Sequence, residues 1–309
     1  MTDLIVVRDR ARFTTPAKTP GVIARKRLDR LMAETTDAVV RVLAPGGFGK
    51  STFVAGWVEG DHRPSLWLDL EQIDNDPPVL VTALVRGLDG ICGNITMEPD
   101  ERQTGPSALL EALERCDQPV VIVLDDIDQL DNEASAAIVD TLAEHLPPAS
   151  TLVLVGRAHL HASAFAGLRL RRKVVDVTTD DLAFDLSETE LLLASMGAEL
   201  DDAAVVDIAA QFEGWAAGLR LAGIVMTTDD WADRTSVERL GDTAYVTEYL
   251  ATEWIGRLDA ADRKFLTEAG CLRRFTGEMC DDVLGRTDSA AALRRLGQTG
   301  LAVLPLDRH

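Results

Sequence analysis

Five short apolar runs between residues 38 and 178, each parted from the next by a longer intervening stretch, constrain this chain more than any other feature. They are "AVVRVLA" (38–44), "PSLWLDL" (64–70), "PVVIVLDD" (119–126), "STLVLVGR" (150–157) and "RKVVDVT" (172–178). All are rich in β-branched residues, and three are nearly continuous in apolar character, as strands are when both faces of a parallel sheet are covered. The stretches 77–90, 106–116 and 134–146 carry helical patterns that open or close on Pro or Gly. Strand–helix alternation of this kind implies right-handed crossovers and a three-layer α/β domain with a parallel sheet.

Past about residue 180 the strand pattern stops. "DLSETELLLASMG" (185–197) places Ser187 as an N-cap with Glu190 three positions on, a capping box that leads into a leucine face. Helical patterns continue over 201–212, 215–226 and 243–257. The stretch from 259 onward gives three short helices and one strand, "LAVLPL", before a polar "DRH" that resembles a hairpin tip. The expected organisation is an α/β domain over 1–180, a helical domain over 181–257 and a winged-helix-like domain over 258–309. A winged helix needs a returning strand, so this reading treats the last domain as truncated.

With 309 residues, the chain exceeds what one compact core ordinarily holds. Its 46% hydrophobic and 27% charged residues suit an ordinary globular protein, and a net charge of −20 argues against this segment itself gripping nucleic acid or an anionic membrane. Cys92, Cys116, Cys271 and Cys280 lack metal-type spacing, so reduced thiols are expected. No run is long enough to span a bilayer as a helix and the start lacks a signal-peptide core, which makes the cytoplasm the expected compartment. His62, His145, His159 and His161 show no metal pairing, and Trp215, Trp231 and Trp254 read as core or interdomain anchors.

Chemistry concentrates at the strand ends. "RVLAPGGFGKST" (41–52) follows a strand and precedes a helical pattern, the setting of a phosphate-binding loop. Gly46, Gly47 and Gly49 permit positive φ and close approach, so successive N–H groups can face an anion. Lys50 would reach the terminal phosphates, the Ser51 hydroxyl would ligate Mg²⁺, and the helix starting near Lys50 adds its positive dipole end. The first position of the usual G-x-x-x-x-G-K-[S/T] spacing is Ala44 here. In "VVIVLDDIDQL" (120–130) a buried strand delivers paired acids to its C-terminal end: Asp125 for the metal and Asp126 to polarise an attacking water. Arg157 ends another strand as a γ-phosphate sensor. "WLDLEQIDNDP" (67–77) adds Asp69, Glu71 and Asp74; Glu71 rivals Asp126 as the water-positioning acid, with a solvated acidic turn as the alternative.

The order of these motifs resembles the nucleotide-binding module of the STAND class of signal-transduction ATPases, and within it the large LuxR-type bacterial transcriptional regulators related to the maltose-regulon activator. The residues that carry the likeness are "VIARKRLDRL", "LAPGGFGKST", "WLDLEQIDNDP", "VIVLDDIDQL", "LVLVGR", "DLAFDLSETELLL", "EGWAAGLRLAGI" and "CDDVLGRTDSAAALRRL…GLAVLPLDRH", together nearly the whole chain. The resemblance implies a P-loop domain, a helical domain and a winged helix clamped over ADP, opened by exchange for ATP and then self-associating. It implies Val22, Ile23 and Arg25 around the adenine, with Gly47, Gly49, Lys50, Ser51 and Thr52 at the phosphates. It also assigns the metal to Asp125 and the sensor role to Arg157. Where the family has Gly-x-Pro, this chain has Ala216 in the proline's place. DNA binding and inducer sensing belong to family domains outside this segment, whose acidic "EMCDDVLG" helix reads as an interdomain clamp. The expected function is an ATP/ADP switch with slow hydrolysis. A work-producing AAA+-like ATPase or a phosphotransferase is the alternative, and would call for a basic lid that the sequence does not display.

Overall fold

A computed structural model describes residues 12–17, 21–33, 35–93, 105–157, 173–198, 200–227, 252, 255–270, 272 and 276–298. They belong to two compact units, Met1–Leu43 with Lys50–Leu182, and Ala44–Gly49 with Ala183–His309.

The first unit opens with α1 (Lys26–Met32), then β1 (Ala38–Leu43), α2 (Lys50–Gly60) and β2 (Ser65–Asp69). A 3-10 turn (Gln72–Asn75), α3 (Pro77–Cys92), α4 (Pro106–Glu114) and β3 (Val121–Asp125) follow, then a second 3-10 turn (Ile127–Gln129), α5 (Glu133–Glu144), β4 (Thr151–Gly156), β5 (Lys173–Val177) and α6 (Thr179–Leu182). The five strands lie within the five runs read from sequence. Their spatial order is β2-β3-β4-β1-β5, with all neighbours parallel. Period-2 alternation sends Leu66, Leu68, Ile122, Leu124, Leu152 and Leu154 into one core with the apolar sides of α3, α4 and α5. The alternate set, including Val40, Val42, Val121, Val123, Val153 and Val155, is equally buried, so both faces of these strands are covered. The Val- and Ile-rich continuity of the runs follows directly from that two-sided burial.

Two readings change here. Cys92 at the end of α3 and Cys116 just past α4 are joined in a disulfide across 24 residues, with Cα atoms 5.5 Å apart, whereas reduced thiols were expected. Their sequence spacing carries no signal because the packing of α3 on α4 sets their proximity. Cys280 is a buried thiol outside this disulfide.

The second unit contains α7 (Leu186–Ser195), α8 (Asp202–Phe212) and α9 (Ala216–Met226), then a 3-10 turn (Ile255–Arg257), α10 (Ala260–Ala269), α11 (Gly277–Leu284) and α12 (Ser289–Gln298). The cap of α7 is Asp185, not Ser187: the Asp185 carboxylate accepts from Glu188 N at 2.8 Å, and Glu188 Oε2 accepts from Asp185 N at 3.2 Å. Asp-x-x-Glu and Ser-x-x-Glu overlap in this stretch, and the helix that starts after Asp185 buries Thr189, Leu192 and Leu193 on one side. Asp201, Asp259 and Thr276 cap α8, α10 and α11 with their side-chain oxygens. The helix read over 243–257 and the strand "LAVLPL" lie largely or wholly outside the described residues, as do His159, His161, Trp231 and Trp254. Among the described residues, no helix is long and apolar enough to cross a membrane.

Candidate functional site

Parallel pairing brings the C-terminal ends of the strands to one edge of the sheet, where an open α/β fold binds its ligands. β2 ends on Asp69 and β3 on Asp125, and these two are register partners. Leu70 N donates to Asp125 O at 3.0 Å, prolonging the ladder by one bond. β4 ends at Gly156, directly before Arg157, and α2 starts at Lys50.

Lys50 and Asp125 are buried, at 8% and 7% exposure, which is rare for ionisable side chains without a task. Burial lowers the Lys50 ammonium to about 8; Arg157 pushes the same way, and Asp128, Asp126 and Asp125 oppose. Burial likewise lifts the Asp125 carboxyl to about 6, against a hydrogen bond from Ser51 that lowers it. Asp69 is raised as well, first by burial and then by Asp126. The edge thus gathers carboxylates that burial, and then one another's charge, hold back from ionising, and an amine too dry to be comfortably charged. Each strain is relieved by a counter-charge: a divalent cation for the acids, an anion for the amine.

The turn after β3 is specialised. Asp126 has φ 53°, a left-handed conformation that costs a non-glycine residue energy, and its N–H bonds the Asp125 carboxylate at 3.0 Å. Asp128, which the sequence reading passed over, accepts from Arg157 N at 2.9 Å and so fixes the turn that carries Arg157. Gly156 makes that approach possible, since a Cβ there would stand 2.7 Å from Ile127 Cγ2 and 3.0 Å from Asp128 Oδ1.

Glu71 is committed locally. Its side chain caps the 3-10 turn while Asp74 Oδ2 accepts from Glu71 N at 2.7 Å, and Arg12 pairs with the buried Asp74. Asn75, also missed, links this turn to the one after β3: its Oδ1 accepts from Asp131 N at 3.1 Å and from Asn132 Nδ2 at 2.7 Å. Nothing in the sequence beyond turn-forming composition marks Asn75, because its partners lie 56 and 57 residues away.

The remaining predicted residues divide. In the second unit, Gly47 and Gly49 have φ 81° and 79°, while Gly46 is not in the positive region. Thr52, the second residue after the lysine, is exposed and Ser51 half-buried. Val22 is 36% exposed and Ile23 half-buried. Arg25 is buried instead, and its Nη1 donates to Leu182 O at 2.8 Å, which joins the start of α1 to the end of α6.

Among the described residues, no three His, Cys, Asp or Glu side chains converge as a metal cluster. The Ser51 hydroxyl hydrogen-bonded to the Asp125 carboxyl fits a different kind of site: a magnesium ion that takes its other ligands from phosphate oxygens and water.

The family model "MalT winged helix domain" matches residues 251–309. HTH-type transcriptional regulator MalT of Serratia proteamaculans is 26% identical over 96% of this chain, and that of Vibrio cholerae is 25% identical over 96%. The chain spans 34% of the length of each. Among solved structures, the Walker-type ATPase paby2304 of Pyrococcus abyssi superposes with a TM-score of 0.63 at 11% identity, covering 95% of this chain and 94% of that one, a likeness of fold. Phosphate-loop spacing, the acid-tipped third strand and these matches point the same way: the chain is similar to the MalT regulators over 96% of its length and shares the fold of a Walker-type ATPase.

Proposed function

We propose that this segment is the nucleotide-binding switch of a LuxR-type transcriptional regulator, holding ADP or ATP with Mg²⁺ and hydrolysing ATP slowly. The observation that carries the reading is the pair of buried, oppositely charged groups at one sheet edge: Lys50 lowered to about 8 and Asp125 raised to about 6, with Ser51 bonded to the acid. Burying such groups costs stability that a Mg²⁺–nucleotide complex restores by matching both charges.

In this reading the N–H groups of the glycine loop and Lys50 bind the phosphates, and Ser51 with Asp125 holds Mg²⁺, which neutralises phosphate charge when bound. Asp126 accepts a proton from an attacking water, and its constrained backbone fixes where that carboxylate stands. Glu71 is the second candidate for this task, although its capping role competes with it. Arg157 faces the charge of the terminal phosphate, and Val22, Ile23 and Arg25 lie toward the adenine. Asp128 and Asn75 position the turns that bear these groups. The nucleotide acts by population shift, ATP favouring an open, self-associating arrangement and ADP a closed one. With a net charge of −20, this segment leaves DNA binding to another part of the regulator.

The test is the nucleotide released on denaturing freshly purified protein, with Lys50→Ala alongside. Retained ADP, and loss of nucleotide binding by Lys50→Ala in a variant that melts cooperatively and no lower than nucleotide-free wild type, support the switch. Absence of any thermal shift with millimolar ADP or ATP sinks it. Asp126→Asn and Glu71→Gln, compared for turnover at saturating ATP, decide which acid serves the water.

A further inference from the structure

The loop Ala44–Gly49 is hydrogen-bonded to the start of α9. Trp215 Nε1 donates to Gly46 O at 3.1 Å, and the backbone N–H of Ala217 donates to Gly47 O at 2.9 Å. The packing is close: a Cβ at Gly47 would stand 2.5 Å from Trp215 Nε1 and 2.8 Å from Ala217 Cβ. Trp215 itself is 9% exposed, so the indole is an inner part of the second unit and not a surface ring.

These two bonds bear on the opposite side of the loop. All described peptides are trans, and in a planar trans peptide the carbonyl and the following N–H point in opposite directions. Holding Gly46 O toward the indole turns the Gly47 N–H away from it. Holding Gly47 O toward Ala217 turns the Phe48 N–H away from α9. Two successive N–H donors are therefore presented together, with Gly47 at φ 81° supplying the left-handed turn that an anion-binding nest requires.

We propose that Trp215 is a positioning residue for the phosphate loop: its indole N–H, with the Ala217 N–H, holds two loop carbonyls outward so that the Gly47 and Phe48 N–H groups face the anion. The proposal rests on reading the loop as a phosphate cradle. It gives the helical segment a direct hold on phosphate affinity through a hydrogen bond to the loop backbone, without touching the nucleotide.

Trp215→Phe keeps an aromatic ring and deletes the donor. The measurement is the affinity of wild type and variant for ADP and for AMP, by competition against a fluorescent ADP analogue with Mg²⁺. Loss of one hydrogen bond that aligns the cradle should weaken ADP by about five- to tenfold, and AMP by less, so the ADP-to-AMP preference falls. A general packing defect would lower both equally, and that result overturns the proposal, as does an unchanged ADP affinity. Replacing Trp215 by 3-benzothienyl-alanine keeps the bicyclic ring and exchanges the N–H donor for sulfur, so it deletes the same hydrogen bond with less change of packing. It should show the same ADP-selective loss, and it decides the matter if Trp215→Phe fails to melt cooperatively. Wild-type protein that binds neither nucleotide overturns the cradle reading itself, a result distinct from a variant that matches a nucleotide-binding wild type.

Discussion

The sheet unit and the helical segment 255–298 solve the same problem by different means. In the sheet unit, Leu66, Leu68, Ile122, Leu124, Leu152 and Leu154 are all 3% exposed or less, and they join a large aliphatic core with three helices. Backbone polarity there is absorbed by ladders between strands. The described core of the helical segment is small: Leu258, Phe265, Ala269, Cys280, Ala292 and Leu296. Two of its helices, α10 and α11, begin on side-chain caps, and Arg295 reaches across to the buried Asp262 at 2.6 Å. A large core spreads its stability over many interchangeable side chains; a small one rests on a few large ones and on polar bonds at helix ends.

The sharpest way to break that contrast is to delete one large side chain from each core. Phe265 is 0% exposed and lies under the Arg286 guanidinium, 4.7 Å from its ring centroid. Phe265→Ala should cost about 3–5 kcal/mol and Leu124→Ala about 2–5 kcal/mol. Amide exchange read by mass spectrometry should show protection lost over 255–298 in the first case, with β1–β4 still protected. Loss of protection in both regions from either variant would show that they share one core.

Next in size is a change that stabilises. Asp125 has a folded-state pKa of about 6, above its ordinary 3.8, so the folded protein binds a proton more tightly than the unfolded chain does. The penalty is therefore complete above pH 6 and absent below about pH 4. Asp125→Asn should raise the stability of nucleotide- and Mg²⁺-free protein at pH 7 by up to about 3 kcal/mol, a gain that vanishes at pH 4 in urea titrations. The Lys50 amine, lowered to about 8 from 10.5, has the opposite course: its penalty is complete below pH 8 and fades as pH rises toward 10.5. An Asp125→Asn gain equal at both pH values would show that charge burial is not its cause.

Helix caps should rank lower, and unequally. Asn132 caps α5 by accepting from Ser135 N at 2.8 Å and also donates to Asn75 O at 2.6 Å. Asp201 caps α8 alone, accepting from Ala204 N at 2.8 Å. Asp201→Ala should cost about 1 kcal/mol and Asn132→Ala about twice that. Equal costs would mean that the bridge between the two turns adds nothing. Smallest of all, Lys264→Ala breaks an exposed pair to Glu268 at 3.8 Å and should change stability by less than about 0.5 kcal/mol.

Much of the sheet edge was legible in the chain because its signals are local. A buried strand must be apolar along its length, so the runs at 38–44 and 119–126 announce β1 and β3, and the acids that follow a strand must stand at its end. A glycine loop between strand and helix must turn, so Gly47 and Gly49 were readable too. The cap of α7 shows the limit of local reading: two overlapping registers satisfy the same rule, and only the hydrogen bonds between Asp185 and Glu188 in the folded chain show which one is used.

By itself, then, the sequence determined the five parallel strands, the glycine turn between β1 and α2 and the strand-end positions of Asp125 and Arg157, since each follows from periodicity or from residues adjacent in the chain. The tertiary structure alone decided what depends on contacts between distant segments. It placed Asp69 beside Asp125, joined Cys92 to Cys116, hung the Arg157 turn on Asp128, and brought Trp215 to the Gly46 carbonyl across 169 residues. A hydrogen bond has a reach of about 3 Å, and no spacing in a sequence records which two segments the packing brings within it.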